Sequence, residues 1–220
     1  MIEANSNIHI KANKPMTELK ILLADDHSMI RKGLKLYLQT NLECNFVGEV
    51  SSCAELMKEL MKEKYSHLIL DIILNDGSSL EVIPNITKVY PKLKILVFSM
   101  QPAEVYGEAI KNYGLKQYLS KSLSEEDIYI KLKKFILNEP FSDTESNPES
   151  TPENPFAALA PRELEILHYL LRGMRTKEIS EKINLKMNTV STIKTRIYSK
   201  TNVDNLKQLL EMATLYNVNY

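Results

Sequence analysis

Short apolar runs, spaced by helix-patterned segments and ending on polar side chains, constrain this chain more than any other feature. Ile21-Leu22-Leu23-Ala24 runs into Asp25 and Asp26, and Leu68-Ile69-Leu70 into Asp71. Ile95-Leu96-Val97-Phe98 ends on Ser99, and Tyr118-Leu119-Ser120 on Lys121. Apolar runs of this length, alternating with helical patterns, predict a buried parallel sheet. Strands are expected near 19–24, 46–50, 67–71, 94–99 and 116–120, and helices near 28–40, 52–64, 78–89, 102–113 and 124–137. Ile30, Leu34 and Leu38 share one helix face, and Leu56, Met57 and Leu60 another. Ser124 with Asp127 three residues on reads as a helix N-cap with an acidic first turn. Parallel strands need right-handed crossovers, so the fold class is α/β, a doubly wound five-stranded parallel sheet. Ligands of such sheets bind outside the carboxyl ends of the strands. Asp25, Asp26, Asp71, Ser99 and Lys121 are therefore expected to converge on one crevice.

Charge and composition divide the chain. Residues 138–156 carry Glu139, Asp143, Glu145, Glu149 and Glu153 with no Lys or Arg, and hold four prolines among Ser, Thr and Asn. That segment cannot bury enough apolar surface to order itself, so it is expected to be an acidic linker. It separates residues 18–137 from residues 157–220, where 10 Lys/Arg face 6 Asp/Glu. A basic module behind an acidic tether suggests an anionic partner. Residues 1–17 are polar, without the apolar core of a signal peptide, and are expected to be a disordered tail. No apolar stretch approaches the roughly 18 residues of a membrane span, so no membrane partner is expected. Two cysteines, Cys44 and Cys53, suggest no disulfide framework, and a reducing cytoplasm is the expected compartment.

The basic module reads as small and all-α, with helices near 161–172, 175–182, 187–202 and 205–216. Gly173 is a C-terminal stop for the first, and Asn184-Leu185 makes a short turn between the second and third. A helix, a tight turn and a second helix bearing Thr189, Ser191, Thr192, Lys194, Thr195 and Arg196 is a helix-turn-helix pattern. Val190, Ile193 and Ile197 fall at helical spacing and should face the core, leaving Ser191, Thr192, Lys194, Thr195 and Arg196 outside.

In the first segment, three nearby carboxylates repel unless a hard cation sits among them. Mg2+ prefers a few carboxylate oxygens and commonly bridges to phosphate. A carboxylate also serves as a nucleophile that forms an acyl phosphate, with Lys121 and the Ser99 hydroxyl placed for the phosphoryl oxygens. The four histidines show no ligand-like spacing.

The stretches Leu23-Ala24-Asp25-Asp26-His27, Leu70-Asp71-Ile72-Ile73-Leu74-Asn75-Asp76-Gly77, Val97-Phe98-Ser99 and Tyr118-Leu119-Ser120-Lys121 resemble the receiver domain of bacterial response regulators, the CheY-like family. The resemblance implies a flavodoxin-like fold with Asp71 accepting a phosphoryl group from a sensor histidine kinase. It further implies Mg2+ held by Asp25, Asp26, Asp71 and the Ile73 carbonyl, and Ser99 and Tyr118 as a switch pair. The chain departs from the family at Asn75, where proline is frequent, at Ser79, where glycine is frequent, and at Ser122, where proline is frequent, which excludes a cis proline there. Ile73 has no polar group to orient water, so self-dephosphorylation should be slow.

Leu159-Ala160-Pro161-Arg162-Glu163, Gly173, Thr176-Lys177-Glu178-Ile179, Asn188-Thr189-Val190 and Lys200 resemble the LuxR-type helix-turn-helix of the NarL/FixJ-like regulators. The resemblance implies binding to double-stranded DNA. Thr189 and Lys200 would touch phosphates, Ser191, Thr192 and Thr195 would lie near base edges, and Lys177, Lys194 and Arg196 complete the DNA face. Ala160 stands where a Thr or Ser is usual, so a cap hydroxyl is missing; Thr201 and Asn202 replace a commoner Leu-Gly. The last helix, through Leu206, Leu209, Leu210 and Ala213, is expected either to pair two copies on DNA or to pack within its own domain.

The sequence therefore reads as a response regulator that is phosphorylated on Asp71, dimerises and controls transcription. One alternative is a phosphorylation-independent regulator whose receiver only mediates assembly. Another is a haloacid-dehalogenase-like phosphatase, but those enzymes need a second acid two residues after the nucleophile, where this chain has Ile73.

Overall fold

A computed structural model describes residues 19–42, 44, 46–139, 154–216 and 218. The expected tail and most of the acidic linker lie outside the described residues. Strands β1 (Lys20–Ala24), β2 (Phe46–Val50) and β3 (His67–Leu70) alternate with helices α1 (Ser28–Asn41) and α2 (Cys53–Lys62). A short hairpin, β4 (Ile73–Leu74) and β5 (Gly77–Ser78), then leads through a 3-10 turn (Ser79–Glu81) into α3 (Ile83–Val89). The receiver closes with β6 (Lys94–Ser99), α4 (Ala103–Asn112), β7 (Tyr118–Ser120) and α5 (Glu125–Leu137).

The main sheet is parallel throughout, in the order β2-β1-β3-β6-β7. Its three inner strands are apolar on both faces because helices cover both. Ile21, Leu23, Ile69, Leu96 and Phe98 point to one face and pack with Leu34 and Leu38 of α1 and Leu132 and Phe135 of α5. Leu22, Leu68, Leu70 and Val97 point to the other and meet Leu56 and Leu60 of α2, Ile83 and Ile86 of α3, and Val105 and Tyr106 of α4. Ser52 caps α2 by accepting from Glu55 N, and Ser124 caps α5 by accepting from Asp127 N. The strand order reverses direction at β1 and β3, which opens a crevice at their carboxyl ends.

The hairpin is absent from the sequence-based expectation, which ran one helix across 78–89. The chain turns at Asn75-Asp76, Gly77 enters β5 at φ 142°, a backbone conformation that side chains disfavour, and the helix expected from residue 78 starts only at Ile83, after the 3-10 turn. The family departures also find their reasons in this region. The Asn75 N–H donates to Ser51 O at 3.0 Å, and the Ser122 N–H donates to Ser120 Oγ at 3.2 Å; proline would remove either donor. The buried Ser79 hydroxyl donates to the Asp71 carbonyl at 2.7 Å, a bond glycine cannot make.

The second domain holds α6 (Pro161–Leu171), α7 (Thr176–Lys182), α8 (Met187–Thr201) and α9 (Leu206–Leu215). Gly173 (φ 76°) and Asn184 (φ 52°) make the sharp turns expected of them. Phe156, placed by composition in the linker, is fully buried and packs edge-on against Tyr216, so this core starts before residue 157. Leu209 and Ala213 are also fully buried in it. Of the four α9 residues expected either to pair two copies or to pack within the domain, Leu209 and Ala213 face inward, while Leu206 and Leu210 remain partly exposed. The two domains touch directly, with α6 lying against β5 and the 3-10 turn.

Candidate phosphoacceptor site and helix-turn-helix face

Strand register brings the acidic residues together. Asp71 follows β3 and its N–H donates to Ala24 O of β1 at 2.8 Å; Asp25 follows β1 and donates to Val50 O of β2 at 3.2 Å. Asp25, Asp26, His27 and Asp71 each offer a ligand atom within 4.8 Å of the others. Asp25 and Asp71 are buried, at 3% and 5% exposure. Two such carboxylates need cationic compensation. Lys121 supplies part of it: its Nζ is 2.6 Å from Asp25 Oδ2 and 2.5 Å from Asp71 Oδ2, with only 3% of the side chain exposed. Ser99 Oγ donates to Asp71 Oδ1 at 2.6 Å. Burial pushes the Asp71 carboxyl above the usual carboxylate range, the Lys121 charge and the Lys121 and Ser99 hydrogen bonds pull it down, and Asp25 raises it.

The set fits a hard cation. Its donors are carboxylate oxygens, and Asp26 Oδ1 is buried without a hydrogen bond among the described residues, with His27 Nδ1 2.6 Å away. His27 enters this cluster from sequence reasoning that gave it no role; its N–H also donates to Asp25 Oδ1 at 2.8 Å. Ile73 lies at the start of the hairpin, two residues beyond Asp71, with its side chain half-buried. Tyr118 is already turned inward, and its hydroxyl donates to the Gln101 carbonyl. Sequence reasoning noted Ser79 only as a departure from the family; the fold shows its hydroxyl on the backbone of the acceptor.

In the second domain, Val190, Ile193 and Ile197 are buried, as their spacing predicts. Lys177, Thr189, Ser191, Thr192, Thr195 and Arg196 are exposed, and Lys194 is half-buried with its amine over the Tyr198 ring. Thr192 and Thr195 hydroxyls donate to the carbonyls of Asn188 and Ser191. Lys200 behaves differently: its amine donates to Ala158 O at 3.1 Å and to Glu163 Oε2 at 2.7 Å, which ties α8 to the start of α6. Glu163 in turn accepts the Ala160 N–H at 2.7 Å, which caps α6 although Ala160 has no hydroxyl.

Comparison with known proteins identifies the family of each domain. Residues 21–133 match the family described as "Response regulator receiver domain", and residues 157–213 match "Bacterial regulatory proteins, luxR family". The chain is a response regulator of the receiver-plus-LuxR type. It is 31% identical over 210 residues to the oxygen regulatory protein NreC of Staphylococcus carnosus, covering 89% of this chain and 96% of that one. The NreC protein of Staphylococcus epidermidis is 29% identical over the same length. In fold, the regulator is similar to RcsB from Salmonella enterica serovar Typhimurium bound to promoter P1flhDC in the presence of phosphomimetic BeF3-, with a TM-score of 0.70, 24% identity, and 89% and 98% of the two chains covered. As a member of this class the protein is a DNA-binding regulator of a two-component system rather than a conventional enzyme. Among the described residues, no helix is long and apolar enough to cross a membrane.

Proposed function

We propose that Asp71 accepts a phosphoryl group from a sensor histidine kinase, and that the modified receiver dimerises and places two helix-turn-helix domains on DNA. The observation that carries this reading is the placement of Asp71 between the Ser99 hydroxyl and the Lys121 ammonium at the switch point of the sheet. An Asp71 carboxylate oxygen attacks phosphorus, the P–O bond forms, and the P–N bond of the kinase phosphohistidine breaks, leaving the imidazole with the bonding pair to take up a proton. Mg2+, when bound, supplies positive charge to the phosphoryl oxygens. Asp25, Asp26, Asp71 and the Ile73 carbonyl would hold it. Lys121 stays on the phosphoryl group as a point charge, and Ser99 donates to a second oxygen.

The acyl phosphate should be long-lived, because Ile73 offers no group to orient an attacking water. In the cytoplasm, such persistence suits a transcriptional signal. On DNA, Lys177, Lys194 and Arg196 would neutralise phosphates with Thr189, while Ser191, Thr192 and Thr195 lie against base edges. Leu206 and Leu210 would form the contact between two copies. Lys200 would reach a phosphate only by leaving Glu163.

Incubation with acetyl phosphate and Mg2+, followed by intact-mass measurement, tests the reading. Gain of one phosphoryl group by the wild type and none by Asp71→Asn is expected. Equal labelling of both would contradict it.

A further inference from the structure

Helix α8 keeps Val190, Ile193 and Ile197 inside, and the line across the helix from them runs through Asn188, Thr192, Thr195 and Ser199. These residues recur at intervals of four, three and four, so they stack along one edge. Each of them is exposed. The line holds no Arg or Lys, the side chains that most often read guanine through its O6 and N7. Exposed Arg196 and half-buried Lys194 lie to either side of it.

The two threonines in the middle of the line have already spent their hydroxyl protons. Thr192 Oγ1 donates to Asn188 O at 2.9 Å, and Thr195 Oγ1 donates to Ser191 O at 3.1 Å. A hydroxyl has one proton, so neither can donate to guanine or to thymine O4 without breaking that bond. The bond also holds the side chain in one rotamer, which presets the position of the γ-methyl. Among the four bases only thymine shows a methyl group in the major groove, and a threonine methyl is an apolar partner for it. Asn188, one turn toward the N-terminus, carries the amide type that pairs with adenine N6 and N7. The line as a whole is matched to A·T pairs.

We propose that Thr192 and Thr195 read thymine through their γ-methyl groups, so that the regulator selects A·T pairs within its half-sites. The inference rests on the reading of α8 as the recognition helix and names what that helix recognises. Discrimination then comes from burying carbon against carbon, with the threonine hydroxyls serving to position the methyls rather than to bond the bases. Lys and Arg beside the line hold phosphates, which fixes the register of the helix in the groove.

The test starts by selecting duplexes from a random library with the full chain, with and without beryllofluoride and Mg2+. The enriched site is then remade with each thymine in turn replaced by uracil, which lacks the 5-methyl group. Wild type should lose about four-fold in affinity for each methyl it contacts, the size of one carbon's transfer out of water. Thr192→Ser and Thr195→Ser keep the hydroxyl and delete the methyl, so each should bind thymine and uracil equally at one of those positions. Thr192→Val and Thr195→Val delete the hydroxyl and keep a methyl, so both should still prefer thymine. Matching thermal melts show that these surface variants are folded. Uracil that weakens the serine variants as much as wild type acts through duplex shape, and that result overturns the inference. An enriched site without thymine, a wild type indifferent to uracil, or valine variants that lose the preference overturn it as well. A wild type that enriches no sequence overturns the recognition-helix reading itself.

Discussion

Lys121 bridges Asp71 and Asp25, with its Nζ within 2.6 Å of a carboxylate oxygen on each. One buried ammonium thus compensates two buried carboxylates, and any cation that enters shares this work.

Removing the ammonium should expose that dependence. Lys121→Met is expected to cost about 3 kcal/mol or more of stability, as breaking a buried ion pair usually does. It should also slow uptake from acetyl phosphate at least ten-fold. Added Mg2+ should restore more stability to the variant than it adds to wild type, since the carboxylates then have no other counter-charge. Urea titrations with and without Mg2+ check this; equal Mg2+ effects would contradict it.

Acid should weaken the fold through its two buried histidines. Burial pushes His67 down to about 4, helped by the Lys94 charge, and His168 down to about 4, helped by Arg172 and Lys182. Both are neutral in the native protein, while unfolded histidine titrates near 6.5. The unfolded chain therefore binds more protons between these values, and stability falls as pH drops from about 6.5 to 4. Each histidine contributes roughly 3 kcal/mol over that window, from 1.36 kcal/mol per pKa unit. His67→Gln should flatten the profile, as urea midpoints at pH 7 and pH 4.5 would show.

The departures from the family pattern carry their own prediction. Ser79→Gly restores the commoner residue but deletes the hydroxyl on the Asp71 carbonyl, and Asn75→Pro deletes the N–H on Ser51 O. Each should destabilise by about 1–3 kcal/mol, because a buried or paired backbone group loses its partner. Thermal unfolding of the two variants measures this. A stabilised protein in either case would mean that the loop tolerates the family residue.

On the DNA side, Arg196 and Lys200 should separate. Arg196 is exposed, and Arg196→Ala should lower the slope of log affinity against log salt by about one. Lys200 is engaged with Glu163 and Ala158. Lys200→Ala should lower stability and leave the slope nearly unchanged. Fluorescence anisotropy across a salt series, beside thermal melts, distinguishes them.

Much of this was legible in residue order alone. The apolar runs announce buried strands because only a sheet covered on both faces tolerates them, and chemistry at their carboxyl ends follows from topology. Val190, Ile193 and Ile197 announced the inner face of α8 by spacing. The hairpin at 73–78 was hidden, because two strands of two residues each are too short to show a period. The role of Ser79 was hidden for another reason: a hydroxyl on a backbone carbonyl leaves no periodicity. The family resemblance put Lys200 on a DNA phosphate; its ion pair with Glu163, 37 residues away, leaves no trace in the sequence.

The most direct measurement is sedimentation of the full chain with Mg2+, with and without beryllofluoride, beside Asp71→Asn. A shift from monomer to dimer that requires both beryllofluoride and Asp71 is the predicted result. A wild-type mass that does not respond to beryllofluoride, or an Asp71→Asn variant that responds equally, would contradict the claim that modification of Asp71 drives assembly.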